Sequence, residues 1–173
     1  CNVRCCFGQN RPLAQGDVGQ PRTASRLREI FHELIGQGAA CLDLVTPTHF
    51  PDAVLEALGD EPWPVPVVWN CGGYEKPETL RRLEGKVQVY LPDLKYALPE
   101  PARKYSGAAD YVDWASRAIL EMFHQTGPYR VENGLLKQGG LNRHLLLPGE
   151  LEGGRGGLGG VAGAVSHGEG AAG

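Results

Sequence analysis

ACLDLVTPTHFPDAVLEAL, residues 40–58, contains one short strand and one short helix in direct succession. Its first part, residues 40–45, is a mostly apolar run between Gly38 and a Thr-Pro pair, which is typical of a buried strand. Residues 51–58 begin with proline and carry apolar side chains at helical spacing, which predicts a helix. The stretch therefore predicts one βα unit.

The same alternation of strands and helices continues on both sides of this stretch. Thr23 caps a predicted helix over residues 23–37, which ends at the glycines that follow. The other predicted strands cover residues 65–70, 87–93 and 142–149, the other predicted helices cover residues 77–83 and 109–124, and residues 132–134 form a hairpin turn. Alternation at this spacing predicts a parallel sheet. We expect an α/β fold that is an open or partial (β/α) barrel rather than a closed one.

The chain divides into a folded part and a tail. Residues 1–150 are expected to form one unit, and residues 151–173 are so rich in glycine that they cannot bury enough apolar surface to offset their backbone entropy. We expect this tail to be disordered. Because the chain begins inside a cysteine motif, we also expect a strand to precede Cys1, so that the chain is a fragment truncated at both ends.

The composition indicates a soluble protein. A chain of 173 residues suffices for one domain with a sizeable core. Its hydrophobic content of 42%, charged content of 21% and net charge of -3 argue against nucleic acid as a partner. The sequence has no apolar run of about 18 residues and no basic start followed by an apolar region, so we expect neither a membrane span nor a signal peptide.

CNVRCCFGQN, residues 1–10, holds three of the five cysteines. An odd number of cysteines, crowded in this way, indicates metal or redox chemistry in a reducing compartment, so we expect a cytoplasmic protein. Soft thiolates select zinc, copper(I) or iron-sulfur clusters, and Cys1, Cys5 and Cys6 are the candidate metal ligands. Cys41 lies inside a strand pattern and is expected to be a small buried hydrophobe.

Polar residues cluster where the predicted strands end. They are Thr46, Thr48 and His49 after the first strand, Asn70, Gly72 and Gly73 after the second, Asp93 and Lys95 after the third, and Pro148 and Gly149 after the last. Parallel α/β folds place their active sites at the carboxyl ends of their strands. The sequence therefore predicts a site at this edge of the sheet.

Five strand-end motifs, taken in order, resemble one family of enzymes. The motifs are LVTPTHF, WNCGGYEKPETLRRLEG, VYLPDLKY, RKYSGAADY and RHLLLPG, and they follow a cysteine loop with Cys-x-x-x-Cys spacing. Together they resemble the radical S-adenosylmethionine proteins related to pyruvate formate-lyase activating enzyme, over roughly residues 1–150. The resemblance implies a partial (β/α) barrel of that family's type.

The resemblance implies a [4Fe-4S] cluster whose open iron binds S-adenosylmethionine and passes it an electron. Cleavage of this cofactor yields a deoxyadenosyl radical, which abstracts a hydrogen atom from the substrate. Cys1 and Cys5 match two cluster ligands of the family's loop. Gly8 stands where the third cysteine is expected, and Cys6 is the candidate replacement.

The resemblance also implies roles for residues at the strand ends. Asp93 and Lys95 match the family's Asp-x-Lys, which contacts the cofactor region and helps to place the substrate, and they are the candidate catalytic residues. The candidate cofactor-binding residues are Asn70, Gly72, Gly73, Asp93, Arg143 and His49. His49 has the alternative of capping the helix that starts at Pro51, and Asp93 and Lys95 have the alternative of a surface ion pair.

Two functions therefore stand at this point. The first is a radical S-adenosylmethionine oxidoreductase, which needs an electron donor such as flavodoxin or ferredoxin and which has, as one option, a protein substrate that receives a glycyl radical. The second is a zinc-binding or cofactor-free degenerate fragment without catalysis, in which His32, His49 or another cysteine completes a zinc site.

Overall fold

Strands and helices alternate around one mostly parallel sheet in the computed structural model, which describes residues 2–8 and 18–145. The strands are β1 (Leu42–Val45), β2 (Val67–Cys71), β3 (Val89–Leu94), β4 (Arg130–Glu132), β5 (Leu135–Gly140) and β6 (Arg143–His144). The helices are α1 (Ala24–Gly36), α2 (Pro51–Leu58), α3 (Pro77–Arg81), α4 (Pro99–Ser106) and α5 (Tyr111–Thr126), with a short 3-10 helix at Pro47–His49. The fold is thus mixed α/β.

The sheet follows the order β1-β2-β3-β5-β4, and β6 also pairs with β3. All pairs are parallel except β4 with β5, which form an antiparallel hairpin. β5 lies beside the start of β3, at Val89 and Tyr90, whereas β6 lies beside its end, at Asp93 and Leu94. Within the described residues the sheet does not close into a barrel.

The two faces of the sheet differ in character. Leu42, Trp69 and Tyr90 project to the face that the helices cover, and each is at most 2% exposed. The alternating positions project to the opposite face, because side chains along a strand alternate. Asp43 and Asn70 are on that second face, and they bring polar groups to a sheet whose helix-covered side is apolar.

Local sequence signals explain where the elements begin and turn. The Thr23 hydroxyl accepts a hydrogen bond from the backbone N–H of Arg26 (3.1 Å), so the predicted cap of α1 is confirmed. Asn133 and Gly134 both have positive φ angles, 51° and 77°, which is the backbone that a two-residue hairpin turn requires. The predicted hairpin is therefore confirmed as β4 and β5.

The structure differs from the sequence-based expectations at three places. α4 was not predicted, because its sequence PEPARKYS lacks an apolar stripe and buries only Ala102 and Ser106. Cys41 is exposed rather than buried, since it precedes β1 and lies outside the ladder. Of the strand predicted over residues 142–149, the structure describes a strand at Arg143–His144 only.

Some predictions lie outside the described residues. They concern Cys1, the end of the last strand at residues 146–149 and the tail at residues 151–173. Among residues 2–8 and 18–145, no helix is both long enough and apolar enough to cross a membrane.

Candidate functional site

Four side chains at the carboxyl end of the sheet form one chain of hydrogen bonds. Nε of Arg143 donates to Oδ1 of Asp93 (2.8 Å), and Nη2 of Arg143 donates to Oδ1 of Asn70 (2.8 Å). The side-chain nitrogen of Asn70 donates in turn to Oδ2 of Asp43 (3.3 Å). Asp93 and Arg143 face each other in the β3–β6 register, which explains why they meet. The structure thus brings together Asn70, Asp93 and Arg143, three of the candidate cofactor-binding residues, and adds Asp43.

Lys95 completes this charge cluster from the other side of Asp93. Its Nζ forms an ion pair with Oδ2 of Asp93, so each carboxylate oxygen of Asp93 has its own cation. The side chains of Lys95 and Asp93 are only 11% and 24% exposed, so this is no ordinary surface ion pair. Two aspartates and two cations at one strand-end edge can bind a ligand that carries both an ammonium and a carboxylate group.

Tyr111, at the start of α5, ties the loops at this edge together. Its hydroxyl lies 2.7 Å from the carbonyl oxygen of Asp93 and 2.9 Å from that of Gly72, to either of which it donates, and it accepts from the N–H of Lys95 (3.1 Å). Burial raises the pKa of Tyr111, so the hydroxyl keeps its proton. The sequence pattern placed Tyr111 on an apolar helix face and gave no sign of this polar role.

Gly73 brings the loop after β2 against the end of β3. It has a φ of 77°, and a Cβ built on it would lie 2.0 Å from the carbonyl oxygen of Asp93. No side chain fits there, because real Cβ atoms essentially never approach another atom so closely. Gly72 and Gly73 were predicted as part of a cofactor-binding loop, and this contact gives Gly73 a structural reason to be glycine.

The cysteine loop docks on α4, next to the same edge. Cys5 is half-buried, and its Sγ accepts a hydrogen bond from the Ser106 hydroxyl (2.9 Å). The N–H of Cys6 donates to the carbonyl oxygen of Tyr105 (2.8 Å), while its thiol side is exposed. Val3 is buried in the apolar cluster that contains the end of β3. The loop is therefore held by contacts on both sides of Cys5.

Aromatic rings join the cysteine loop to the charge cluster. The Phe7 and Tyr96 ring centroids are 6.5 Å apart, Tyr96 packs edge-on against Tyr111 at 5.4 Å, and Tyr111 stacks on Tyr74 at 5.9 Å. The Tyr96 hydroxyl also hydrogen-bonds the Ser106 hydroxyl, which contacts Cys5. Cys5 and Asp93 are thus connected through two tyrosines.

No group of three or more histidine, cysteine, aspartate or glutamate side chains that could hold a metal ion is found within residues 2–8 and 18–145. Cys1, one of the three predicted metal ligands, is not among those residues. Only Cys5 and Cys6 of the predicted set are therefore described, and two ligands do not make up such a group.

His49 ends the 3-10 helix that follows β1 and is exposed. Its ring packs against that of Phe50 with centroids 6.1 Å apart, and partial burial lowers its pKa. Thr48, the residue before it, points into the protein instead. His49 therefore lies at the predicted edge of the sheet, on a different segment from the charge cluster.

Glu75 is a buried carboxyl that sequence reasoning missed. It is 3% exposed, and the Thr48 hydroxyl donates a hydrogen bond to its Oε1. Burial raises the pKa of Glu75 from 4.5 to about 7, although its hydrogen bonds with Thr48 and Cys71 oppose the shift. The signal available in the sequence was the position of Glu75, two residues after Gly73 in the loop that follows a buried strand.

Comparisons with known proteins give one distant match. No protein-family model matches the chain, and no solved structure matches it. The curated relative "Uncharacterized protein MJ0674" of Methanocaldococcus jannaschii is 26% identical over 160 residues. The match covers 88% of this chain and 44% of that protein, so the chain spans less than half the length of the relative. The chain thus resembles part of a longer archaeal protein.

Gly73→Ala is expected to destabilise the protein more than Gly85→Ala does. Both glycines have nearly the same φ, 77° and 75°, but an added Cβ at Gly85 meets no atom within 4 Å. The left-handed backbone costs each variant roughly 1–2 kcal/mol. The clash with Asp93 adds about 1–3 kcal/mol for Gly73→Ala alone. Urea denaturation measures both losses, and equal losses would contradict the close approach.

The stability of the protein is expected to fall as the pH rises through the range in which Glu75 ionises. The unfolded chain loses this proton near pH 4.5, whereas the folded protein keeps it to about pH 7. The contribution is therefore fully present below pH 4.5 and lost as the pH rises through about 7. The shift corresponds to about 3 kcal/mol.

Denaturation curves recorded between about pH 5 and pH 8 test this dependence. Glu75→Gln removes the titrating group, so its free energy of unfolding is expected to fall less than that of the wild type. Glu78→Gln is the matched control, because Glu78 lies exposed on α3. A Glu75→Gln curve parallel to that of the wild type would rule out the buried carboxyl as the cause.

Proposed function

We propose that this chain is a radical S-adenosylmethionine oxidoreductase related to pyruvate formate-lyase activating enzyme. In this proposal it cleaves S-adenosylmethionine reductively to generate a radical for hydrogen abstraction. The observation that carries the proposal is the cluster of Asn70, Asp93, Lys95 and Arg143 at the carboxyl edge of the sheet. The aromatic connection from this cluster to the cysteine loop supports it further.

The sheet supports a barrel type of architecture. β1, β2 and β3 are neighbours in chain order and parallel, and within residues 2–8 and 18–145 the helices pack on one face. The other face carries Asp43 and Asn70 and is the side on which a barrel of parallel strands has its interior. We propose that the sheet is part of a (β/α) barrel of the radical S-adenosylmethionine type.

The charge cluster suits the methionyl part of S-adenosylmethionine. Arg143 and Lys95 offer cations to its carboxylate, and Asp43 and Asp93 offer acceptors to its ammonium group. Asn70 fixes the guanidinium of Arg143, because its carbonyl oxygen is already oriented by the bond from its amide to Asp43. These residues therefore bind and orient the ligand, and Asp93 holds the side chain of Lys95 in place.

The cysteine loop has the donor chemistry that a [4Fe-4S] cluster takes. Cys5 and Cys6 are soft thiol ligands on one short loop, and Cys1 is the third of the set. The cluster, when bound, supplies the electron that breaks a carbon–sulfur bond of S-adenosylmethionine. The hydrogen bond from Ser106 orients the thiol of Cys5, and Ser106 is held in turn by Tyr96, which packs edge-on against Tyr111.

The proposal extends to partners and place in the cell. The exposed side of Cys6 lets a reductant such as flavodoxin or ferredoxin approach the loop. Thiol ligands of this kind stay reduced in the cytoplasm, where we propose that the protein acts. A glycyl-radical enzyme is the proposed protein substrate.

Gly8→Cys is expected to raise the iron and sulfide content of the protein after anaerobic reconstitution. The variant places a thiolate where the resembled loop has its third cysteine. Among the described residues, a Cβ at Gly8 meets only the carbonyl oxygen of Cys5, at 3.2 Å, so a shift of a few tenths of an ångström accommodates it there. We expect iron affinity to rise at least about tenfold, since the loss of even an outer-shell partner commonly changes metal affinity that much.

Gly8→Ser is the matched control, because it has the size of cysteine without the thiolate. Low-temperature EPR of the reduced Gly8→Cys protein is expected to show a cluster signal that changes when S-adenosylmethionine is added. If the folded variant binds zinc alone, or binds no iron and sulfide, the proposed function fails and the degenerate-fragment interpretation takes its place.

Arg143→Gln is expected to weaken the binding of S-adenosylmethionine, measured by calorimetry on the reconstituted chain. Loss of a charge-assisted contact in a partly buried site predicts a decrease of about tenfold or more. Arg117→Gln, on the exposed side of α5, is the control and is expected to leave the affinity unchanged. Equal affinities of the two variants would remove Arg143 from the binding site.

A further inference from the structure

Glu75 links two segments that end neighbouring strands. Its carboxyl accepts a hydrogen bond from Thr48, in the 3-10 helix after β1, while its own N–H donates to the carbonyl oxygen of Gly73 (3.0 Å) in the loop after β2. His49 follows Thr48 directly, so the same bond fixes the start of the segment that carries His49. One buried side chain thus fixes two loops at the proposed ligand-binding edge.

We infer that Glu75 is a positioning residue of this site, whose buried carboxyl sets, through Thr48, the place of the segment 46–50 relative to the Gly72-Gly73 turn. The inference rests on the proposed function for the ligand that these loops receive. Glu75 touches no part of the charge cluster itself and acts through Thr48. Its contribution is therefore to the geometry of the edge.

The surroundings of Glu75 make the cost of burying its carboxyl dependent on protonation. The titratable groups that act on it or respond to it are the Cys71 thiol on β2, the Tyr90 hydroxyl on β3 and, through Cys71, Asp93. All are acids, and none of the ion pairs within the described residues includes Glu75. Ionised Glu75 therefore places an uncompensated charge in the interior.

The protonated carboxyl is the form that fits this site. Burial raises the pKa of Cys71 as well, so the thiol beside Glu75 is also neutral. Glutamine has the shape of the neutral acid and keeps an acceptor oxygen for Thr48. Alanine keeps neither. The pair Glu75→Gln and Glu75→Ala consequently separates the hydrogen bond from the charge.

Calorimetric binding of S-adenosylmethionine to the full reconstituted chain is the first test. Near pH 6, Glu75→Ala is expected to bind about tenfold more weakly than the wild type, and Glu75→Gln within about twofold of it. Towards pH 8 the wild type is expected to lose affinity relative to Glu75→Gln, because only the wild type has a carboxyl at position 75 that ionises in this range. Wild-type affinity for Glu75→Ala, or parallel pH profiles, would overturn the inference.

Hydrogen exchange of the segment 46–50 is the second test, and it needs no ligand. Glu75→Ala and Thr48→Val are each expected to speed exchange at the N–H of Phe50, which bonds to Pro47 in this segment, whereas Glu75→Gln and Thr48→Ser are not. Glu78→Ala is the control for loss of an exposed glutamate. Unchanged exchange in Glu75→Ala and Thr48→Val would overturn the inference.

The two tests also separate this inference from the proposed function. If the wild-type chain binds no S-adenosylmethionine, the proposed function fails. The exchange results then decide alone whether Glu75 positions the segment 46–50. If the wild type binds the cofactor and Glu75→Ala binds it equally well, the proposed function stands and the inference on Glu75 falls.

Discussion

The contact between Gly73 and the carbonyl oxygen of Asp93 is the constraint on which the strand-end site depends. It fixes the loop after β2 against the end of β3 at a distance that only glycine permits. The Tyr111 hydroxyl then bridges the same two loops through the carbonyl oxygens of Gly72 and Asp93. With the Asp93 backbone held in this way, its side chain is placed between Lys95 and Arg143.

The elements were predictable from the sequence because each has a local signal. Apolar runs bounded by proline or glycine gave the strands, and Thr23 and Asn133 marked a cap and a turn. α4 has a proline at its first turn and Gly107 after its end, but it has no apolar run between them, and it buries only Ala102 and Ser106. The alternation of strands and helices predicted a sheet that is open rather than closed, and within the described residues the sheet does not close.

The site was predictable only where a parallel sheet must bring strand ends together. This rule placed Asn70, Asp93 and Lys95 at one edge. In the structure Lys95 pairs with Asp93, and Arg143 bonds to both Asp93 and Asn70. Glu75 and Tyr111 were missed, because their importance lies in contacts between segments 27 and 18 residues apart in sequence. The resemblance covered both residues within its motifs without indicating what either one contacts.

The electrostatics of the edge divide into two parts. Asp93 is balanced by Lys95 and Arg143, each of which pairs with one of its carboxylate oxygens. Glu75 has no such balance and keeps its proton to about pH 7. A neutral Glu75 leaves the net charge of this edge unchanged, so it can shape the loops without repelling an anionic ligand group. Its ionisation would add an uncompensated negative charge to the interior next to these loops.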